Sequence, residues 1–270
     1  MSVSGRQQGT TMLLNMFYGP ALNAANGIAN NVHGIILGFA NNVITAFRPQ
    51  IIKNYAEKDI VNMSRLVINA SKFTLSLYLI VAIPLFLEAE YVLRLWLKTV
   101  PEHTNIFLRI ILICSLFKLA GNILNIVIHA TGRIKKFSFI SGTIFLLNVP
   151  LLYILIKFNW NVNLAYCSLV PIDITILLTT LCVTKILVSQ IKIKEIITKS
   201  YLPNIGMAII ISGLLYLIQY QLHESFLRLV IISFSSLILS LSYIYFILLN
   251  SNQRQSLLEQ LKHKLHINSK

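Results

Sequence analysis

The stretch TNIFLRIILICSLFKLAGNILNIVIHA, Thr104 to Ala130, carries the reading of this chain. It is longer than the roughly 20 mostly apolar residues that a bilayer-spanning helix needs. Within it Ser115, Lys118, Asn122, Asn125 and His129 recur at steps of three and four. That spacing puts all five on one face of a helix. At about 1.5 Å of rise per residue, Lys118 sits near the middle of the membrane. A polar stripe so deep must face a water-filled cavity or polar neighbours, because lipid would leave it unsatisfied.

The same pattern repeats outward from this segment. Of the 270 residues, 56% are hydrophobic and 12% are charged, about half the charge of a soluble domain. Apolar runs fall at roughly 8–18, 22–47, 66–87, 104–130, 137–156, 163–188, 203–219 and 226–249. No alternating barrel pattern appears, and backbone groups in lipid need internal hydrogen bonds, so each run is helical. The expected fold is an all-α integral membrane bundle of about eight transmembrane helices. The first run is too short to cross alone, as though the chain started inside a longer helix, and the second is unusually polar. The polar start, MSVSGRQQG, does not read as a secretory signal.

Basic residues orient the bundle. With the N terminus inside, Arg6, Arg48, Lys53, Lys58, Arg65 and Lys72 are cytoplasmic, as are Arg133, Lys135, Lys136, Lys185, Lys192, Lys194, Lys199, Arg254, Lys262, Lys264 and Lys270. Outside, or near its interface, lie Arg94, Lys98, Arg109, Lys157 and Arg228, and only Lys118 remains, deep in a span. Trp96 and Trp160 fall at the outer boundary, where amphipathic rings are stable. Both termini are therefore expected in the cytoplasm. Three basic amphipathic stretches, Arg48–Leu66, Ile191–Ser200 and Gln253–Ile267, are expected to lie flat on anionic lipid. In the last, Leu257, Leu258, Leu261 and Leu265 oppose Lys262 and Lys264.

Several function classes drop out. The net charge of +14 flanks apolar spans and forms no single basic stripe, so nucleic acid is not the partner. Cys114, Cys167 and Cys182 are isolated, odd in number and read as small buried hydrophobes. His263 and His266 lack further ligands for a metal. The N-x-S patterns at Asn62 and Asn69 fall inside or in a span, where glycosylation is excluded. No catalytic motif is present, so neither an enzyme nor a cofactor is expected.

What remains is polar chemistry sunk in apolar helices. Asp173 is the only acidic residue within any expected span, at a depth comparable to Lys118. The two either neutralise each other or divide into a substrate-anion ligand and a site for a coupling cation. Asn23, Asn26, Asn30, Gly34, Gly38, Asn41 and Thr45 form a second stripe, either helix-packing glue or the lining of a polar passage. Pro84, Pro150 and Pro171 interrupt three spans, which suits a transporter that rocks between states.

Gly5-Arg6-Gln7-Gln8-Gly9, then LLNMFYGPALNAANGIANNV (Leu13 to Val32), AFRPQIIKNYAEKD (Ala46 to Asp59), LRLWLKTVPEHT (Leu93 to Thr104) and HATGRIKKF (His129 to Phe137) together resemble the polysaccharide or O-antigen flippases (Wzx-type) of the MATE/MOP exporter superfamily. The resemblance implies a bacterial inner-membrane protein that moves a polyprenyl-pyrophosphate-linked oligosaccharide to the outer leaflet. Family members pair two six-helix lobes, often with two extra C-terminal helices. By that likeness, residues 1–190 are the second lobe with a truncated first helix, 191–249 the extra pair and 250–270 a cytoplasmic basic tail. Membrane lipids surround it, and either a missing N-terminal lobe or a second copy covers its polar faces. Basic family cavities suit a pyrophosphate, which makes Lys118, Asn122, Asn125, His129, Arg109, Asn26, Asn30 and Asn41 the substrate candidates, with Asp173 for coupling or ion pairing. A drug or cation antiporter of the same superfamily, a membrane glycosyltransferase and a non-transporting remnant or assembly subunit are the competing readings.

Overall fold

The computed structural model describes residues 2–249, 251, 253–255 and 259, and among these every regular element is helical. Helix α1 (Ser2–Tyr18) is followed by α2 (Pro20–Ala56), α3 (Ile60–Leu87), the short α4 (Ala89–Trp96), α5 (Thr104–Ala130) and α6 (Ile134–Lys157). Then come α7 (Val162–Cys167), α8 (Leu169–Leu187), α9 (Ile193–Ile196), α10 (Leu202–Gln221) and α11 (Phe226–Tyr243). The single turns Ile197–Tyr201 and Ile244–Leu248 are π-helical and continue α9 into α10 and extend α11. Seven segments are long and apolar enough to cross a bilayer, starting at Pro20, Ile60, Thr104, Ile134, Val162, Ile193 and Phe226. The protein is a multi-pass membrane protein.

Local chemistry sets the breaks. Gly19 has φ 81°, a left-handed conformation that glycine adopts without strain, and Pro20 opens α2 where its missing N–H has no helical partner to lose. Asp59 caps α3 by accepting from the Asn62 N–H at 3.0 Å. That amide, and then the Asn62 side chain, hold the Asp59 carboxyl below its ordinary range. Ser225 caps α11 in the same way through the Arg228 N–H at 3.1 Å.

Helix α5 is the hub and packs against α2, α3 and α8. In its most apolar stretch 67% of residues are buried inside the bundle, against 17% for α11, which therefore turns most of its surface to lipid. Helix α1 lies on α6, so close that a side chain at Gly9 would meet Val149 Cγ2 at 2.6 Å. Helices α10 and α11 pack on α3, away from α1.

Several expectations change. Helix α1 starts at Ser2, not residue 8, and at 17 residues covers only about 25 Å. Arg48–Leu66 is no flat surface helix. Helix α2 runs 37 residues through Pro49 to Ala56, and the rest is a tight turn and the start of α3. Ile191–Ser200 likewise feeds into α10, with Ile191, Ile196 and Ser200 fully buried. Leu257, Leu258, Leu261, Lys262, His263, Lys264, Leu265 and His266 lie outside the described residues. Cys114 is buried, but Cys167 and Cys182 are exposed on the bundle's outer side, where lipid is as apolar as a core. Pro171 sits in the first turn of α8, where a ring costs no helical bond, while Pro84 and Pro150 lie inside α3 and α6.

Candidate functional site

A cavity of about 80 Å³ opens among α1, α2, α5 and the α7–α8 pair, where the polar Arg6, Thr10, Asn26, Asn30, Lys118 and Tyr166 share the lining with apolar Val3, Ile111 and Leu169. Arg6 does not sit in a cytoplasmic segment, as its position in the sequence suggests. Helix α1 starts early enough to carry it into the bundle on the face shared with Thr10 and Leu14, all three buried. Its guanidinium donates to Asp173 Oδ1 at 2.8 Å and rests over the Phe145 ring, 4.9 Å from the centroid. Lys118 Nζ approaches the other oxygen, Asp173 Oδ2, at 3.7 Å. That oxygen is buried and accepts no hydrogen bond. One carboxylate thus serves two cations, and the cavity keeps a surplus positive charge.

The amide side of the cavity is built on α2. Asn26 Oδ1 accepts from Tyr166 Oη at 2.6 Å and from Asn30 Nδ2 at 2.9 Å, while Asn26 Nδ2 reaches Thr11 Oγ1 at 3.4 Å. Tyr166 is fixed by stacking on Phe107, with ring centroids 4.0 Å apart. One turn further along α2, buried His33 meets Ser115 Oγ through Nε2. Ser115 Oγ also lies 2.7 Å from the Ile111 carbonyl, which can only accept.

The structure therefore brings together Lys118, Asn26, Asn30 and Asp173, and adds Arg6 and Tyr166, with His33 one turn beyond on Ser115. It does not bring the other candidates to the cavity. Asn122 and Asn125 follow Lys118 along the same face of α5, and Asn125 Oδ1 is buried without a partner. His129 lies about 16 Å beyond Lys118 and is exposed, and Asn41 is similarly far from Asn30. Arg109 points elsewhere: it donates to the Phe86 carbonyl at 3.0 Å and satisfies the open end of α3. His33 had a readable signal, since it continues the Asn26 and Asn30 face at a step of three.

A second polar surface lies open beside the cavity. On α1, Gln7, Gln8 and Asn15 are exposed, and on α2 so are Gly27, Asn31, Gly34, Gly38 and Asn42. A Cβ built on Gly27, Gly34 or Gly38 would touch nothing within 4 Å. The α2 residues recur at steps of three and four, so they form one continuous stripe.

A bundle of spanning helices around a cation-rich, amide-lined polar cavity has the construction of a membrane transporter. The MatE family model matches residues 2–154, more than half of the chain, and the protein belongs to that family, a family of transporters. No curated protein and no solved structure matches the chain.

Proposed function

We propose that this MATE-type transporter flips a polyprenyl-pyrophosphate-linked oligosaccharide from the cytoplasmic to the outer leaflet of a bacterial inner membrane. The observation that carries this reading is the charge surplus of the cavity: Arg6 and Lys118 face one carboxylate, Asp173. An anionic pyrophosphate answers that surplus, and the Asn26, Asn30 and Tyr166 groups suit hydroxyl-rich sugar. Residues 1–190 act as one lobe and 191–249 as an added helix pair, with both termini cytoplasmic. The α1–α2 stripe is covered by a first lobe or a second copy, because a polar face left against lipid would be costly.

The test is complementation in a flippase-deficient strain, with the chain alone and together with a first lobe. Surface polysaccharide should return only when the stripe is covered. Lys118→Ala should abolish that recovery without loss of protein. Recovery by the chain as a monomer, or full activity of Lys118→Ala, overturns the reading. A drug or cation antiporter is the second reading, favoured by the buried Asp173 Oδ2 that accepts no hydrogen bond. Drug resistance conferred by the chain, and lost in Asp173→Asn, would select it.

A further inference from the structure

A different cluster of cations lies at the end of the bundle that carries the α2–α3 turn. Between α3 and the start of the α9–α10 run, a pocket of about 610 Å³ is lined by Arg65, Asn69, Lys72, Lys192, Glu195 and Lys199. Arg65 and Lys72 are seven residues apart and share one face of α3. Lys192 and Lys199 are spaced by the same seven residues at the start of the facing run. Four cations thus line one pocket in two pairs.

The single carboxylate cannot balance them. Glu195 accepts from Lys199 at 2.6 Å and lies 3.2 Å from Lys192. Lys72 is buried and donates to the Leu248 carbonyl at 2.9 Å, which satisfies one of its three N–H groups. Among the described lining residues the formal surplus is three positive charges, or two once Asp59, whose charge acts on Arg65, is counted, and like charges held this close repel unless an anion joins them.

Depth indicates the source of that anion. Helix α3 has 28 residues, about 42 Å, and so overhangs a hydrocarbon core of about 30 Å. With Glu88 at the opposite boundary, the overhang falls at Ile60 to Arg65, the level of headgroups. Lys72 lies about 10 Å deeper, buried with its ammonium on the Leu248 carbonyl. The pocket's remaining walls include Ile60, Val61 and Ile68, which offer apolar surface beside the charges.

We propose that this pocket binds a phosphate group, and that the phosphate is the headgroup diester of an anionic phospholipid held by its acyl chains in the surrounding leaflet. Basic pockets between spanning helices recognise such headgroups by charge while the tails stay in the bilayer. The site shares no residue with the Arg6, Lys118 and Asp173 cluster, so it does not depend on what the transporter carries.

The test uses the full chain, purified in neutral detergent and titrated with phosphatidylglycerol, phosphatidylcholine or glycerol 3-phosphate, with lipid adducts read by native mass spectrometry. Phosphatidylglycerol should bind in preference to phosphatidylcholine, and Arg65→Gln/Lys192→Gln/Lys199→Gln should weaken it about tenfold or more. The exposed pair Lys135→Gln/Lys136→Gln at the start of α6 should leave it unchanged. Should the triple variant lose its helical circular dichroism, Lys192→Gln alone, a side chain 75% exposed, should still weaken binding measurably. Wild-type affinity in the triple variant, or an equal loss in the α6 pair, overturns the site. Competition by glycerol 3-phosphate at the same concentration overturns the lipid as its occupant.

Discussion

Two buried carboxylates in this protein are held by cations, and they are held differently. Glu88, at the junction of α3 and α4, has both oxygens occupied: Arg228 donates to Oε2 at 2.7 Å and Gln219 to Oε1 at 3.0 Å. Asp173 has one oxygen bonded to Arg6, and the other faces Lys118 at 3.7 Å without a hydrogen bond. The first arrangement is closed and joins α10 and α11 to α3. Lys72 with the Leu248 carbonyl and Ser76 with Asn204 Oδ1 secure the same helices closer to the other end. The second arrangement is open and borders a cavity. A carboxylate with both oxygens filled inside a membrane acts as glue, whereas cations in surplus beside open space are available to a ligand.

The largest effects should come from breaking either carboxylate. Glu88→Ala leaves the buried Arg228 only the half-exposed Glu224 at 3.6 Å and the Leu222 carbonyl, and Asp173→Ala strands Arg6 beside Lys118. Each should cost about 3–5 kcal/mol, read as a lower melting temperature of the purified protein. The double changes separate the two regions. Glu88→Leu/Arg228→Met should restore stability and retain transport. Arg6→Met/Asp173→Leu should recover part of the stability but not transport, because it removes one of the two cations facing the cavity and leaves Lys118 without its carboxylate. Transport that survives the second pair would erase the distinction between glue and site.

A smaller effect is expected at Tyr166. Tyr166→Phe removes the hydroxyl that donates to Asn26 Oδ1, yet Asn30 still donates to the same oxygen. The loss should be about 0.5–1.5 kcal/mol, measured by chemical or thermal unfolding in detergent. A loss as large as that of Asp173→Ala would mean that the amide side of the cavity, not the ion pair, organises it.

The spans were legible because apolar length is a direct consequence of the bilayer. Their ends were not. Arg48 and Lys53 read as a departure from the membrane, but a helix does not stop where lipid stops, and α2 continues through them to Ala56. Arg6 was hidden because α1 is too polar to read as a span; its signal was the buried row Arg6, Thr10 and Leu14 at steps of four. The pairing of Glu88 with Arg228 joins residues 140 positions apart, a separation that no local pattern spans. Lys118 and Asp173 were legible, since an ionisable group deep in a span stands out by its cost. Arg109 was a candidate only because basic family cavities suit a pyrophosphate, and its partners are carbonyls at the end of α3, which sequence does not display.

The smallest effect concerns a carboxylate outside the membrane, and it sharpens the contrast with the two buried ones. Asp59 is exposed at the α2–α3 turn, and its carboxyl titrates below the ordinary range because the Asn62 backbone N–H, and then the Asn62 side chain, bond its charged form. A carboxyl that releases its proton more readily folded than unfolded stabilises the fold fully above its unfolded-state pKa. That contribution falls away as pH drops through the lowered folded value. Asp59→Asn keeps an acceptor for the Asn62 N–H but removes the titration. Melting curves collected from neutral pH down through the carboxylate range should therefore show a shallower acid decline for Asp59→Asn, with near-equal stability at neutral pH. Asp59→Ala, which lacks the cap altogether, should be less stable at both ends of the range. Identical acid limbs in wild type and Asp59→Asn would show that the cap at this turn carries no pH-dependent stability.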